Sequence, residues 1–278
     1  MNKKLVVVIA LAIPVLIIGM ALNPTYEFLH RISAYNENSQ PDIKTQNHSQ
    51  DDFKPIPDDG NQWENNTSDY TLSRNPELYD DFASGSYHLN TGILSPNGKW
   101  LGMWDGGGSL DVKKDPFDES NYVMVVESGF VLNETRSGLV LTTNEYKDFE
   151  LSLDVRNDKQ LRGPEPNSWE VGWIFWRYVD NTHFDYFTLK PTGSETGKYD
   201  GGVNPDDQLY LQVTEFPNSS IGKWDHLDII VKGDHIIIAV NGMIAQEFDD
   251  VSSFDKGKIG FYCEDSSVSF DNISITPI

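Results

Sequence analysis

Ten consecutive residues, Trp169-Glu170-Val171-Gly172-Trp173-Ile174-Phe175-Trp176-Arg177-Tyr178, hold three tryptophans, two other aromatics and a single cation. Aromatic faces stack on the apolar faces of pyranose rings, and a few polar groups then take the hydroxyls. Alternation along a strand puts Trp173, Phe175 and Arg177 on one face and Gly172, Ile174, Trp176 and Tyr178 on the other. A guanidinium is rarely sealed in an apolar core without a partner, so the Trp173 face is read as the ligand surface. Tyr186 and Lys190 extend that surface from an adjacent strand, and Trp104 and Trp169, on loops, form its rim. The bland alternative is that both faces are core and Arg177 caps the strand end, since aromatics in strands are usually packing residues.

Carboxylates offer a second chemistry. Cleaving a glycosidic bond usually takes two carboxyl groups facing across it. Glu170, Asp185, Asp206, Asp207 and Glu215 lie near the expected cleft strands, but no spacing forces any two together. Each is read as a solvated surface group. A third possibility is a calcium ion stapling the ends of the fold, held by Asp80 and Asp81 on the first strand and Asp271 on the last. Calcium takes six to eight oxygens, and a bulge at Asp271-Asn272 would free a carbonyl to join them. The competing role for these acids is to cap strand ends. No organic cofactor is expected, because no P-loop, dinucleotide fingerprint or His-Glu-x-x-His motif occurs. The six histidines are scattered, and no nucleophile-elbow motif is visible.

The elements that must position these groups are strands. Leu151, Leu153 and Val155 alternate with Ser152, Asp154 and Arg156, and Leu227, Ile229 and Val231 alternate likewise. The central stretch is bulky on both faces, which marks a strand covered on both. Further strands are expected at Trp100–Trp104, Tyr122–Glu127, Gly138–Thr142, Phe184–Lys190, Gln208–Thr214, His235–Val240, Met243–Phe248 and Lys258–Tyr262. Asn157–Ser168 and Pro191–Asp207 read as polar connections. Asn241-Gly242 is a strong hairpin signal. In the last strand Val268 and Phe270 keep one parity and Ile273 and Ile275 the other, which predicts the bulge at Asp271-Asn272.

Composition narrows the setting. The chain has 278 residues and a net charge of −22, so a nucleic-acid partner is excluded on charge. Cys263 is the only cysteine, so no intrachain disulfide forms, and its neighbours Phe261 and Tyr262 mark it as a small buried side chain. Leu5–Leu22 is an uncharged apolar run behind Lys3 and Lys4, on the boundary between signal peptide and membrane anchor. Residues 1–22 are therefore expected to export the chain, leaving it outside the cytoplasm, secreted or, if uncleaved, held at the membrane. Residues 23–77 are rich in Asn, Asp, Ser, Gln and Pro and read as a flexible polar spacer, with a β domain over 78–278. Sequons at Asn47, Asn65, Asn66, Asn133, Asn218 and Asn272 fit an exported, glycosylated chain.

Four segments carry a family resemblance. They are Tyr146–Leu151; Gly172–Asp180 with Trp176-Arg177-Tyr178-Val179-Asp180; Trp224–Gly242; and Gly257–Phe261 followed by Phe270–Ile273. Over about residues 78–278 the chain resembles the concanavalin A-like lectin and glucanase superfamily, and within it the 3-keto-disaccharide hydrolase domain family. The resemblance implies an all-β fold, a two-sheet antiparallel jelly-roll sandwich. It does not fix an activity, because the superfamily hosts enzymes, lectins and passive modules. Laminarinase-type members carry their acids on one strand as Glu-x-Asp-x-x-Glu, and no such run occurs here. Three functions follow as expectations: a carbohydrate-binding surface module first, a glycoside hydrolase acting on 3-keto-disaccharide or ordinary linkages second, and a structural module of the cell envelope third.

Overall fold

The computed structural model describes residues 75–201, 207–251 and 254–278. The expected export segment, nearly all of the spacer, Asp206 and the sequons at Asn47, Asn65 and Asn66 lie outside the described residues. Among the described residues there is no helix long and apolar enough to cross a membrane.

The described chain is all β. Its strands are β1 (Leu78–Asp80), β2 (Tyr87–His88), β3 (Trp100–Trp104), β4 (Ser109–Asp115), β5 (Asp118–Glu127), β6 (Ser137–Thr142), β7 (Phe149–Gln160), β8 (Gly172–Asp180), β9 (His183–Lys190), β10 (Gly193–Asp200), β11 (Gln208–Thr214), β12 (Trp224–Lys232), β13 (His235–Val240), β14 (Met243–Asp249), β15 (Lys258–Glu264) and β16 (Ser266–Pro277). They form two antiparallel sheets. One runs β14-β13-β12-β7-β16-β5-β4-β2, with β1 also paired to β16, and the other runs β11-β10-β9-β8-β15-β6-β3.

The sheets pack face to face over one core. Leu151, Leu153, Leu227, Ile229, Val268 and Phe270 of the nine-stranded sheet meet Val140, Ile174, Trp176, Phe187 and Phe261 of the seven-stranded sheet. Phe261 and Phe270 touch edge to face across the layers, with centroids 5.3 Å apart. The alternation read in β7 and β12 supplies one wall of this core. Two expected connections are partly strand. β7 runs on to Gln160, and β10 lies inside the polar stretch 191–207. In β10 the inward positions are Ser194, Thr196 and Lys198, which bond to Gln246 and Asp250 instead of packing apolar groups. That polar inner face hid the strand from a hydrophobic pattern.

β8 is covered on both faces, as its composition requires. Ile174 and Trp176 enter the inter-sheet core, while Trp173, Phe175 and Tyr178 join a second apolar cluster on the outer face. Tyr178 sits there because Arg177 is a bulge residue, with φ 48°. The register slips beside it against both β9 and β15. Gly257 makes room for the bulge, since a Cβ there would lie 2.4 Å from the Arg177 carbonyl carbon. A second bulge falls where parity predicted it. Asn272 has φ 50°, and the β16–β7 register slips between Asp271 and Ser274. Asn241 and Gly242, φ 52° and 76°, make the expected tight hairpin turn.

Asp80 ties β1 into this frame. Its carboxylate accepts from Trp100 Nε1 at 2.7 Å, Asn97 Nδ2 at 2.9 Å and the Phe82 amide at 3.1 Å. Removing it strands the buried indole N–H. Asp80→Ala should therefore cost about 1–3 kcal/mol in denaturant unfolding, by the same amount with and without a calcium chelator. A loss confined to calcium-containing buffer would show that the carboxylate serves a metal instead.

Candidate ligand-binding site

The outer face of the seven-stranded sheet is built by strand register. Antiparallel pairing sets Leu139, Tyr262, Trp173, Thr188 and Glu195 in one row across β6, β15, β8, β9 and β10. Leu141, Gly260, Phe175, Tyr186 and Gly197 form the next row. Trp173 lies with its ring 4.7 Å from Tyr186 and 5.8 Å from Tyr262, and Phe175 stacks on Phe184 at 4.4 Å. Gly197 leaves space for the Tyr186 hydroxyl, which a Cβ would meet at 2.5 Å. Trp104 and Trp169 pack against this cluster and remain half-buried. Trp104 Nε1 donates to Ser137 Oγ at 3.1 Å, and the Trp169 carbonyl accepts from Trp173 Nε1 at 3.0 Å.

Two polar groups interrupt the aromatics. At one side Lys190 Nζ meets Glu195 Oε2 at 2.5 Å, and Tyr186 donates to Glu195 Oε1 at 2.8 Å. Gln208 Nε2 donates to the Tyr186 hydroxyl. At the other side three carboxyls surround one guanidinium. Arg162 bonds Glu170 and Asp265, each at 2.5 Å, and the Tyr262 hydroxyl donates to Glu264 at 3.0 Å. Glu170 also accepts from the Asn167 amide and side chain. Among the described residues Glu264 has no ion-pair partner of its own. Burial first, and then the charges of Asp265 and Glu170, push its carboxyl up to about 8. Burial raises Asp265 as well. One guanidinium cannot offset three carboxylates in a dry site, so Glu264 keeps its proton near neutrality.

Of the residues singled out in the sequence, the structure gathers Trp173, Tyr186, Lys190, Trp104 and Trp169 on this face. Trp173 and Tyr186 are buried under their neighbours and do not stand open on a cleft. Arg177 is not with them. Its bulge turns it toward the inter-sheet side, where it donates to Asp185 at 3.0 Å and to the Gly233 carbonyl of the other sheet at 2.5 Å. The alternation argument failed there because a bulge resets parity. Glu170 and Asp185, read as solvated, are 1% and 0% exposed. Burial lifts the Asp185 carboxyl to about 7. Glu215 is exposed as expected. Cys263 is buried, and burial pushes its thiol up to about 12, far from a nucleophile's range.

Asp80, Asp81 and Asp271 are not brought into one coordination shell. Asp80 is filled by the donors above, Asp81 accepts from the Ala83 amide, and Asp271 accepts from Asn121 Nδ2 and the Asn272 amide. Among the described residues no group of three His, Cys, Asp or Glu side chains is placed to hold a metal ion. Glu195, Arg162, Glu264 and Asp265 went unread as site residues. β15 runs to Glu264, two residues beyond the strand expected at Lys258–Tyr262, and the register with β6 and β8 turns Glu264 to this face.

The model of the 3-keto-alpha-glucoside-1,2-lyase-like domain family matches residues 93–276, well over half of the chain. The chain belongs to that family, the one its four segments resemble. Among solved structures, a carbohydrate binding module from Bacillus subtilis is similar at 14% identity, covering 68% of this chain and 99% of that one, with a TM-score of 0.48. A Bacillus licheniformis beta-glucanase is similar at 12% identity, covering 70% and 99%, with a TM-score of 0.47. No curated protein matches.

The Glu264 carboxyl has a signature in stability. Its ordinary value is 4.5, and the fold raises it to about 8. Between those values the folded chain holds a proton that the unfolded chain has lost, so this contribution is full below about 4.5 and gone above about 8. Thermal unfolding should show Tm falling across that window. Glu264→Gln keeps the shape without the proton and should flatten the fall. A variant with the wild-type slope would place the titration on another group.

Proposed function

We propose that the chain is an extracytoplasmic saccharide-directed domain. The sugar seats on the outer face of the seven-stranded sheet, at the end framed by Trp104 and Trp169. The observation that carries this is the pairing of two half-buried indoles with a rigid polar array on one apolar face. The rings offer stacking surface, and Glu195 and Lys190 offer charged partners for hydroxyls. Family membership and the apolar run behind Lys3 and Lys4 support the sugar and the location respectively.

A second reading, cleavage of a 3-keto glucoside, is favoured by Glu264. A ketone at C3 acidifies the proton on C2. A carboxylate takes that proton, the electron pair forms a C1–C2 double bond, and the C1–O bond to the leaving group breaks. The departing oxygen then needs a proton. A carboxyl raised to about 8 still carries one at neutral pH and suits that role.

One experiment separates the two. Calorimetry with a glycan panel and a 3-keto disaccharide should find a ligand whose affinity drops about tenfold in Trp104→Ala or Trp169→Ala. Glu264→Gln should keep that binding. If the chain also cleaves, wild type releases an unsaturated sugar and Glu264→Gln does not. Absence of any ligand, or binding indifferent to both tryptophans, would overturn the proposed seat.

A further inference from the structure

The nine-stranded sheet carries a groove of its own on the face turned away from the core. It consists of two open clefts of about 470 and 330 Å³ that share Asn121 and Trp224. Trp224 on β12 stands between them. The groove runs over β12, β7, β16, β5 and β4, which are consecutive in the sheet. Four strand spacings give a length of roughly 19 Å. That is longer than one hexose.

The groove is built around a buried cation. Arg156 on β7 is 2% exposed, and its guanidinium lies between two rings, 4.4 Å from the Trp224 centroid and 4.7 Å from that of Phe117. Asp115 grips it with two bonds of 3.0 Å, and Asp158 takes Nε. Phe117 is held in turn at the tip of the β4–β5 hairpin, where its amide donates to Asp115 at 2.9 Å. Burying an arginine with its acids is weak evidence for stability, because desolvation offsets the attraction. What the arrangement does achieve is to fix two aromatic rings at the mouth of an open groove. One of them, Phe117, is 74% exposed.

Beyond Trp224 the groove is lined with acceptors. Asp154 bonds His226 Nδ1 at 2.7 Å and Asn272 Nδ2 at 2.8 Å, one through each oxygen. Asp271 bonds Asn121 Nδ2 and the Asn272 amide, each at 2.7 Å, again one through each oxygen. Every carboxylate oxygen therefore keeps a second lone pair for a hydroxyl or ammonium donor. Among the described residues the cations beside the groove are Arg156, held by Asp115 and Asp158, His226, bound to Asp154, and Lys223, bound to Asp225 at 3.0 Å, and the carboxylates outnumber them. An anionic ligand would meet repulsion here.

We infer that this groove is a second saccharide site, opposite the seven-stranded face, that takes an uncharged or amine-bearing oligosaccharide. Trp224 and Phe117 stack on ring faces, and Asp154 and Asp271 accept from hydroxyl or amine groups. The sites are independent, because no residue of this groove belongs to the other sheet.

The test is calorimetry of the full chain with neutral glucan and xylan hexamers, a chitosan hexamer and an oligogalacturonate. At least one neutral or amine-bearing oligomer should bind and lose about tenfold in affinity in Trp224→Ala. Trp104→Ala should leave that binding unchanged, which distinguishes this groove from the site proposed above. Trp224→Ala also strips a ring from Arg156, so Asn272→Gly is the second variant. It keeps the positive φ of the bulge and the backbone bond to Asp271 but removes the side chain that holds Asp154 in place, and it should weaken the same ligand. Binding only of the oligogalacturonate, no binding at all, or binding unaffected by both variants would overturn the site.

Discussion

Strand β8 has no face to give to water, and the surrounding architecture answers to that constraint. Its inward side chains, Ile174 and Trp176, need the other sheet beneath them. Its outward ones, Trp173, Phe175 and Tyr178, need neighbours above. β9 and β15 supply both, because pairing on either side places Tyr262 beside Trp173, Tyr186 beside Phe175, and Phe187 and Phe261 beside Ile174. The bulge at Arg177 resolves the one conflict in the strand. Straight alternation would put Tyr178 inward, and the extra residue sends it outward while the guanidinium takes the inner side with Asp185. Buried apolar area of this extent is the main stabilising term available to a chain without disulfides.

Charge is distributed by the same logic. A strongly acidic chain must keep most carboxylates in water or pair them. Around Arg162 the acids outnumber the cations, and the excess is relieved by protonation of Glu264. Around Arg156 two acids clamp one cation between aromatic rings. The two settings differ in what they offer a ligand. The first holds a carboxyl whose hold on a proton is raised, and the second holds fixed rings and free lone pairs.

Much of this was legible in the sequence. The alternation in β7 and β12, the Asn241-Gly242 turn and the parity switch at Asp271-Asn272 each report a local rule that the fold obeys. β10 escaped because its inner face is polar, satisfied by Gln246 of β14 and by Asp250 just past it, about fifty residues later. Arg177 was assigned to the wrong face because φ at a bulge residue is not encoded by residue type when that residue is not glycine. The acid cluster was missed for a different reason. Arg162, Glu170 and Asp265 converge only through a loop and a strand turn from distant parts of the chain. Sequence spacing carries no trace of that meeting.

β16 lies in the middle of the nine-stranded sheet, between β7 and β5, and also takes β1. Its partners precede it by long stretches of chain, so Leu78 pairs with Ile275. None of the earlier strands can complete that sheet among themselves. Such connectivity makes folding a late, nearly all-or-none closure dominated by distant contacts. It belongs to the slow end of single-domain folding, on the order of milliseconds to seconds or longer. Until residues 266–277 dock, the apolar sides of β5 and β7 lack the strand that joins them, and the chain is most exposed to misassembly in that interval.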